Sequence, residues 1–202
     1  GSAATIAWSD PAWFAADVDV LGRRVALLRV DPETLERSTF LDTRIAADLR
    51  QSLPIPESSL PSSFGNVAPV AWLFHTSFCC STLLARALHD HPGHVVYREP
   101  LVLRRLADAK DQGESLDHWV QTCVDLLGRP WSPVGRIVIK PTHGALNIAA
   151  ELLAASPGAR AVAVTSSLDD FVTSHLKKSR ATLEAIPLLC RRVLAASPTA
   201  RA

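Results

Sequence analysis

Ser81 and Thr82 sit where a short apolar run, Pro69–Phe74, gives way to a helical pattern over Ser81–Asp90. The turn between them is His75-Thr76-Ser77-Phe78-Cys79-Cys80, mostly small residues. A strand that stops and a helix that starts at once aim several unbonded backbone N–H groups at one point. The helix N-terminus adds the positive end of its dipole, and the Ser81 and Thr82 hydroxyls add donors. That set of groups suits a phosphate or a sulfate. An ordinary strand-to-helix connection is the competing reading of the same residues. The turn is not a nucleoside-triphosphatase loop, because neither glycine nor lysine occurs between His75 and Thr82. ATP or GTP hydrolysis is therefore disfavoured, and with it a kinase-like phosphotransferase.

Other clusters offer less. Cys79 and Cys80 could be activated thiols at a helix N-terminus, but small side chains that let an anion approach explain them as well. His89, His91 and His94 approach a metal-ligand spacing, yet Pro92-Gly93 breaks the helix between them, and no metal is expected. Trp8, Trp13, Trp72, Trp119 and Trp131 read as core residues.

Around the turn the chain alternates strand and helix. Asp17–Asp31 reads as a hairpin turning at Leu21-Gly22-Arg23, and Asp31-Pro32-Glu33 starts a short helix with Asp31 as cap. Pro54–Asn66, rich in Pro and Ser, reads as a loop. Strands follow at His94–Tyr97, Arg136–Ile139 and Ala161–Thr165. Helices follow at Pro100–Lys110, Ser115–Gly128, Thr142–Ala155, Leu168–Arg180 and Thr182–Ala195. The pattern predicts an α/β fold: a parallel sheet covered by helices on both faces, with a small N-terminal β-hairpin extension over 1–66 and the main domain over 67–202. Ligands of such sheets sit beyond the carboxyl ends of the strands.

The turn resembles the 5′-phosphosulfate loop of sulfotransferases, usually Lys/Arg-Ser-Gly-Thr-Thr, with Phe78, Cys79, Cys80, Ser81 and Thr82 in those places. Asp90-His91-Pro92-Gly93 is similar to the family's turn after the loop helix, and Arg98-Glu99-Pro100 to its second strand, which ends in Glu. Ile139-Lys140-Pro141-Thr142-His143 is similar to its third strand, which ends in Lys and His. Ser166–Ser174 is similar to the 3′-phosphate element Arg-x-Pro-x-Asp-x-x-x-Ser, with Asp170 and Ser174 in register. The likeness covers Val70–Arg180.

The resemblance implies a P-loop fold and a donor, 3′-phosphoadenosine 5′-phosphosulfate, held by residues 78–82, Ser166 and Ser174. It implies transfer of the sulfuryl group to a hydroxyl or amine of a small acceptor. Lys140 would neutralise the bridging oxygen of the leaving phosphate, and His143 or Glu99 would take the acceptor's proton. Phe78 and Ser166 stand where the family has cations. Arg86, one turn after Thr82, and Lys177 and Lys178, after Ser174, are the candidates to replace them. Without such replacement the fold would survive as a catalytically degenerate anion-binding protein. The family also continues into a segment that closes over adenosine, of which this chain is expected to hold only part.

Composition narrows the partners. A formal net charge of +1 gives no overall field for nucleic acid or an acidic membrane, so any anion must be met by a local pocket. No apolar run is long enough to span a bilayer, and no secretory leader is expected. Four cysteines, two adjacent and two scattered, are no disulfide framework and fit a reducing cytoplasm. The acceptor and the oligomeric state are left open.

Overall fold

The computed structural model describes residues 6–178 except 134, together with 180, 183, 184 and 187. An antiparallel sheet comes first: β1 (Trp13–Asp19), β2 (Arg24–Arg29) and β3 (Leu53–Pro56), in the order β1-β2-β3. The expected hairpin is therefore the larger part of a three-stranded sheet, and the expected loop begins with a strand. Pro54 and Pro56 belong to the Pro- and Ser-rich stretch expected to be a loop. They occupy alternate positions of an edge strand, which leaves Leu53 and Ile55 to face Leu27 and Val25. Between β2 and β3 lies α1 (Pro32–Arg37), capped by Asp31, whose side chain accepts from the Thr34 amide at 2.7 Å.

The second sheet has four parallel strands: β4 (Val70–His75), β5 (His94–Arg98), β6 (Arg136–Lys140) and β7 (Arg160–Val164). Their order across the sheet is β5-β6-β4-β7. The helices are α2 (Ser81–His89), α3 (Leu101–Asp111), α4 (Trp119–Leu127), α5 (Ala149–Ala154) and α6 (Leu168–Leu176). The helix expected over Ser115–Gly128 starts only at Trp119, because Asp117 turns the chain with φ +38°. The helix expected over Thr142–Ala155 is split into a 3-10 segment, His143–Ile148, and then α5. The Leu168–Arg180 helix ends at Leu176. The helix expected over Thr182–Ala195 and Cys190 fall largely outside the described residues.

Strand alternation sorts the side chains onto two faces. Trp72, Phe74, Tyr97, Ile137 and Ile139 join one large core that includes residues of α3, α4, α5 and the antiparallel sheet. Leu73, Val96 and Val138 point the other way and pack with Ala85 of α2. The antiparallel sheet is thus part of the same core: Phe14 meets Tyr97 with ring centroids 5.6 Å apart. Buried Arg129 donates to the carbonyl of Trp8 at 2.9 Å and to that of Trp13. The tryptophans are core residues, as the sequence implied: Trp13, Trp72 and Trp119 are buried, and Trp8 and Trp131 pack partly buried against them.

The strand order positions a crevice. From β4 the chain leaves through α2 on one face. From the adjacent β6 it leaves through the 3-10 segment and α5 on the other. Neighbouring strands whose connections part to opposite faces leave a gap at their carboxyl ends, where α/β sheets hold ligands.

Candidate functional site

That gap is a cavity of about 540 Å³. Ser77–Thr82 line one side, and Phe40, Asp42, Arg44, Arg104, Thr142 and His143 the other, with the nearly buried His75 and Glu99 between them.

The β4–α2 turn is tied down at its edges and open in its middle. The Thr76 amide donates to the Val164 carbonyl at 3.1 Å, and the Cys79 thiol donates to the Thr76 carbonyl at 2.9 Å. The Cys80 carbonyl takes the first two helical bonds, from Leu83 at 3.0 Å and Leu84 at 3.2 Å. The amides of Ser77 to Thr82 make no hydrogen bond among the described residues. Phe78 and Cys80 have φ of +59° and +61°, whereas Cys79 between them does not have a positive φ. Left-handed residues that alternate with others in a turn can curl successive N–H groups toward one point, the geometry of backbone anion sites. A side chain in the left-handed region costs about 1–2 kcal/mol, so two such residues separated by one are a strain that the surrounding structure must hold. Ser81 is 4% exposed, and its hydroxyl has no described protein partner. No described side chain caps α2 either.

Behind the turn lies a buried charge cluster. Lys140 ends β6 fully buried, and its ammonium lies 2.5 Å from Glu99 Oε1. Glu99 follows β5 at φ +56°, anchored by its amide on the Lys140 carbonyl at 2.7 Å. His75 Nε2 lies 3.7 Å from the same Oε1. Its Nδ1 faces the Thr76 carbonyl at 2.8 Å and its Nε2 the Pro141 carbonyl at 3.0 Å. Two carbonyl acceptors favour the charged ring, yet burial and the Lys140 ammonium outweigh them and hold His75 below its ordinary pKa. His143, edge-on to His75 at 6.2 Å, is pushed down to about 4 by burial and by His75. It is a neutral ring at physiological pH.

The expected residues separate accordingly. Residues 78–82, Glu99 and His143 line one cavity. Lys140 does not reach it; it serves as counter-ion to Glu99. Arg98 and Arg105, near Glu99 in the chain, are engaged elsewhere. Arg98 binds carbonyls at the end of α1, including Ser38 at 2.6 Å and Glu36 at 3.1 Å, and Arg105 pairs with Asp17 at 2.9 Å. Arg86 is turned away to the Thr39 hydroxyl at 3.2 Å and contributes nothing to the lining. Ser166 and Ser174 also lie outside the lining, although Ser166 Oγ is closed to water and without a described hydrogen bond. Lys178 lies 4.7 Å from the centre of the Phe78 ring, which also meets His175 edge-on at 4.5 Å. The position that is basic in the resembled loop therefore carries a cation on its aromatic face. Lys177 has no described contact with the turn.

Comparison of the chain with protein-family models, with curated proteins and with solved structures returned no match.

Sequence reading missed His75, Arg44 and Arg104. Arg44 belongs to a segment that the Leu41 amide pins to the Arg98 carbonyl at 2.7 Å, across the end of β5. It pairs with Asp42 and stacks on Phe40 at 4.0 Å. Burial would raise the Asp42 pKa, but the Arg44 hydrogen bonds and charge prevail and lower it. Nothing in residues 38–44 signals that position before the fold is known. Arg104 had a faint signal, five residues after Glu99 on the helix that leaves β5. His89 accepts from the Val96 amide, and His91 and His94 stack at 4.5 Å. Among the described residues no group of three or more His, Cys, Asp or Glu side chains could hold a metal ion, and no helix is long and apolar enough to cross a membrane.

Proposed function

We propose that this chain is a sulfotransferase-like P-loop protein that moves a sulfuryl group from 3′-phosphoadenosine 5′-phosphosulfate to a hydroxyl or amine acceptor. The observation that carries the reading is the set of unbonded amides from Ser77 to Thr82, curled by Phe78 and Cys80 at the mouth of a cavity that also contains Glu99. These six amides and the N-terminus of α2 would hold the donor's 5′-phosphate. They would also stabilise the charge it gains as the sulfur–oxygen bond breaks. Glu99 Oε1 is committed to Lys140, which leaves Oε2 to accept the acceptor's proton as its oxygen or nitrogen bonds to sulfur. His143, with its low proton affinity, would orient the acceptor by a hydrogen bond rather than remove its proton.

Calorimetric titration with the product nucleotide, 3′-phosphoadenosine 5′-phosphate, tests this. Binding should weaken about ten-fold in Ser81→Ala, the loss of one charge-assisted hydrogen bond of about 1.5 kcal/mol. No binding by the wild type, or equal binding by the variant, would overturn the assignment.

One observation favours a second reading, an anion-binding protein that has lost the transfer chemistry. The lysine expected on the leaving oxygen is fully buried against Glu99. Tight nucleotide binding without transfer to any of a panel of phenols, sugars and amines would select that reading.

A further inference from the structure

Resting on the transferase reading, we infer that the acceptor is a carboxylate-bearing molecule, oriented by the Arg104 guanidinium across the cavity from the amide turn. Most charges of the far wall are already spent. Asp42 and Arg44 both line the cavity and cancel there: Arg44 gives its Nε to Asp42 Oδ1 at 2.8 Å and its Nη2 to Oδ2. Glu99 is offset by buried Lys140, and His75 and His143 are both held below their ordinary pKa values. Arg104 differs. Its Nε donates to Asp108 Oδ1 at 2.8 Å, one turn along α3 and outside the cavity lining. Its Nη1 and Nη2 have no described partner. Among the described residues, the one cavity-lining cation without a lining counter-ion is thus a guanidinium whose paired Nη donors match a carboxylate.

Gly144 leaves room for that guanidinium. A Cβ at Gly144 would lie 2.6 Å from Arg104 Nη1 and 3.2 Å from its Cζ. A Gly144 side chain and the present Arg104 position therefore exclude each other. The backbone of Gly144 needs no glycine for its own conformation, since its φ is not positive. The residue makes room for the arginine. Phe40, on the same wall, offers an aromatic surface for the body of the acceptor.

The probes are 4-fluorobenzoate and 4-fluorobenzamide, near-isosteric and differing in charge, followed by fluorine NMR with and without 3′-phosphoadenosine 5′-phosphate. The wild type should bind the carboxylate at least ten-fold more tightly than the amide. Arg104→Ala and Gly144→Ala should erase that ratio, and Arg104→Lys should keep part of it. Nucleotide affinity should be the same in all four proteins. Equal binding of the two probes by the wild type would overturn the inference, as would a preference that survives Arg104→Ala. An equal loss of nucleotide affinity in Arg104→Ala would move Arg104 to the donor side and overturn it too. Failure of the transferase reading shows separately, as absence of nucleotide binding in a wild type that still discriminates the probes.

Discussion

The Lys140 ammonium and the Glu99 carboxylate meet at 2.5 Å, one side chain fully buried and the other 14% exposed. Lys140 ends β6 and Glu99 follows the neighbouring strand β5, and the Glu99 amide also bonds the Lys140 carbonyl. Removing one partner leaves an uncompensated buried charge. Lys140→Met should cost about 3–5 kcal/mol, and adding Glu99→Gln should recover a large part of it. Urea unfolding of the two single variants and the double variant measures the coupling. If the double variant loses the sum of the single losses, the pair is not the unit described here.

Cys80 has φ +61° with an ordinary side chain, and the turn depends on that conformation. Cys80→Gly should preserve anion binding and change stability by no more than about 1 kcal/mol, since relief of strain is set against a freer unfolded chain. Cys80→Val, β-branched and poorly suited to the left-handed region, should destabilise the protein and abolish nucleotide binding. A valine variant that binds as well as the wild type would show that the curl of the turn is irrelevant to the anion.

Phe78 carries the Lys178 ammonium on its ring where the resembled loop has a cation of its own. Phe78→Lys should raise affinity for 3′-phosphoadenosine 5′-phosphate roughly ten-fold, a gain of about 1.4 kcal/mol from a charged hydrogen bond. The gain should shrink as salt increases. Calorimetry at two ionic strengths reads both effects. Weaker binding by the lysine variant would mean that the donor's phosphate lies elsewhere.

His143 stays neutral in the folded protein because its pKa is pushed from 6.5 down to about 4. The unfolded chain takes up a proton below about pH 6.5, so folding stability is complete above that pH and declines as pH falls toward 4. The loss should approach about 3 kcal/mol, at roughly 1.4 kcal/mol per pKa unit. Buried His75 shifts in the same direction and adds to the slope. Urea midpoints should fall between pH 7 and pH 5, and His143→Gln should flatten that decline. An unchanged slope in the glutamine variant would remove His143 from the account.

The sequence by itself placed the four parallel strands, the helices between them and the β4–α2 turn. Those features are written in local patterns: apolar runs of strand length, helical spacing, a Pro after a capping Asp31. Local pattern also marked Ser81 and Thr82 as the start of a helix after a strand, where orphan amides must occur. It failed at Leu53–Pro56, because whether a proline breaks a strand depends on whether its side of the strand is an edge, and only pairing with β2 decides that. The tertiary structure alone decided which charges meet. Lys140 and Glu99 lie 41 residues apart in the chain, and Arg98, next to Glu99, turned instead to the end of α1. It also decided that the cavity's far wall would carry Arg44 and Arg104. Long-range ion pairs follow from strand order and from which face each crossover takes, and neither is encoded in the spacing of neighbouring residues.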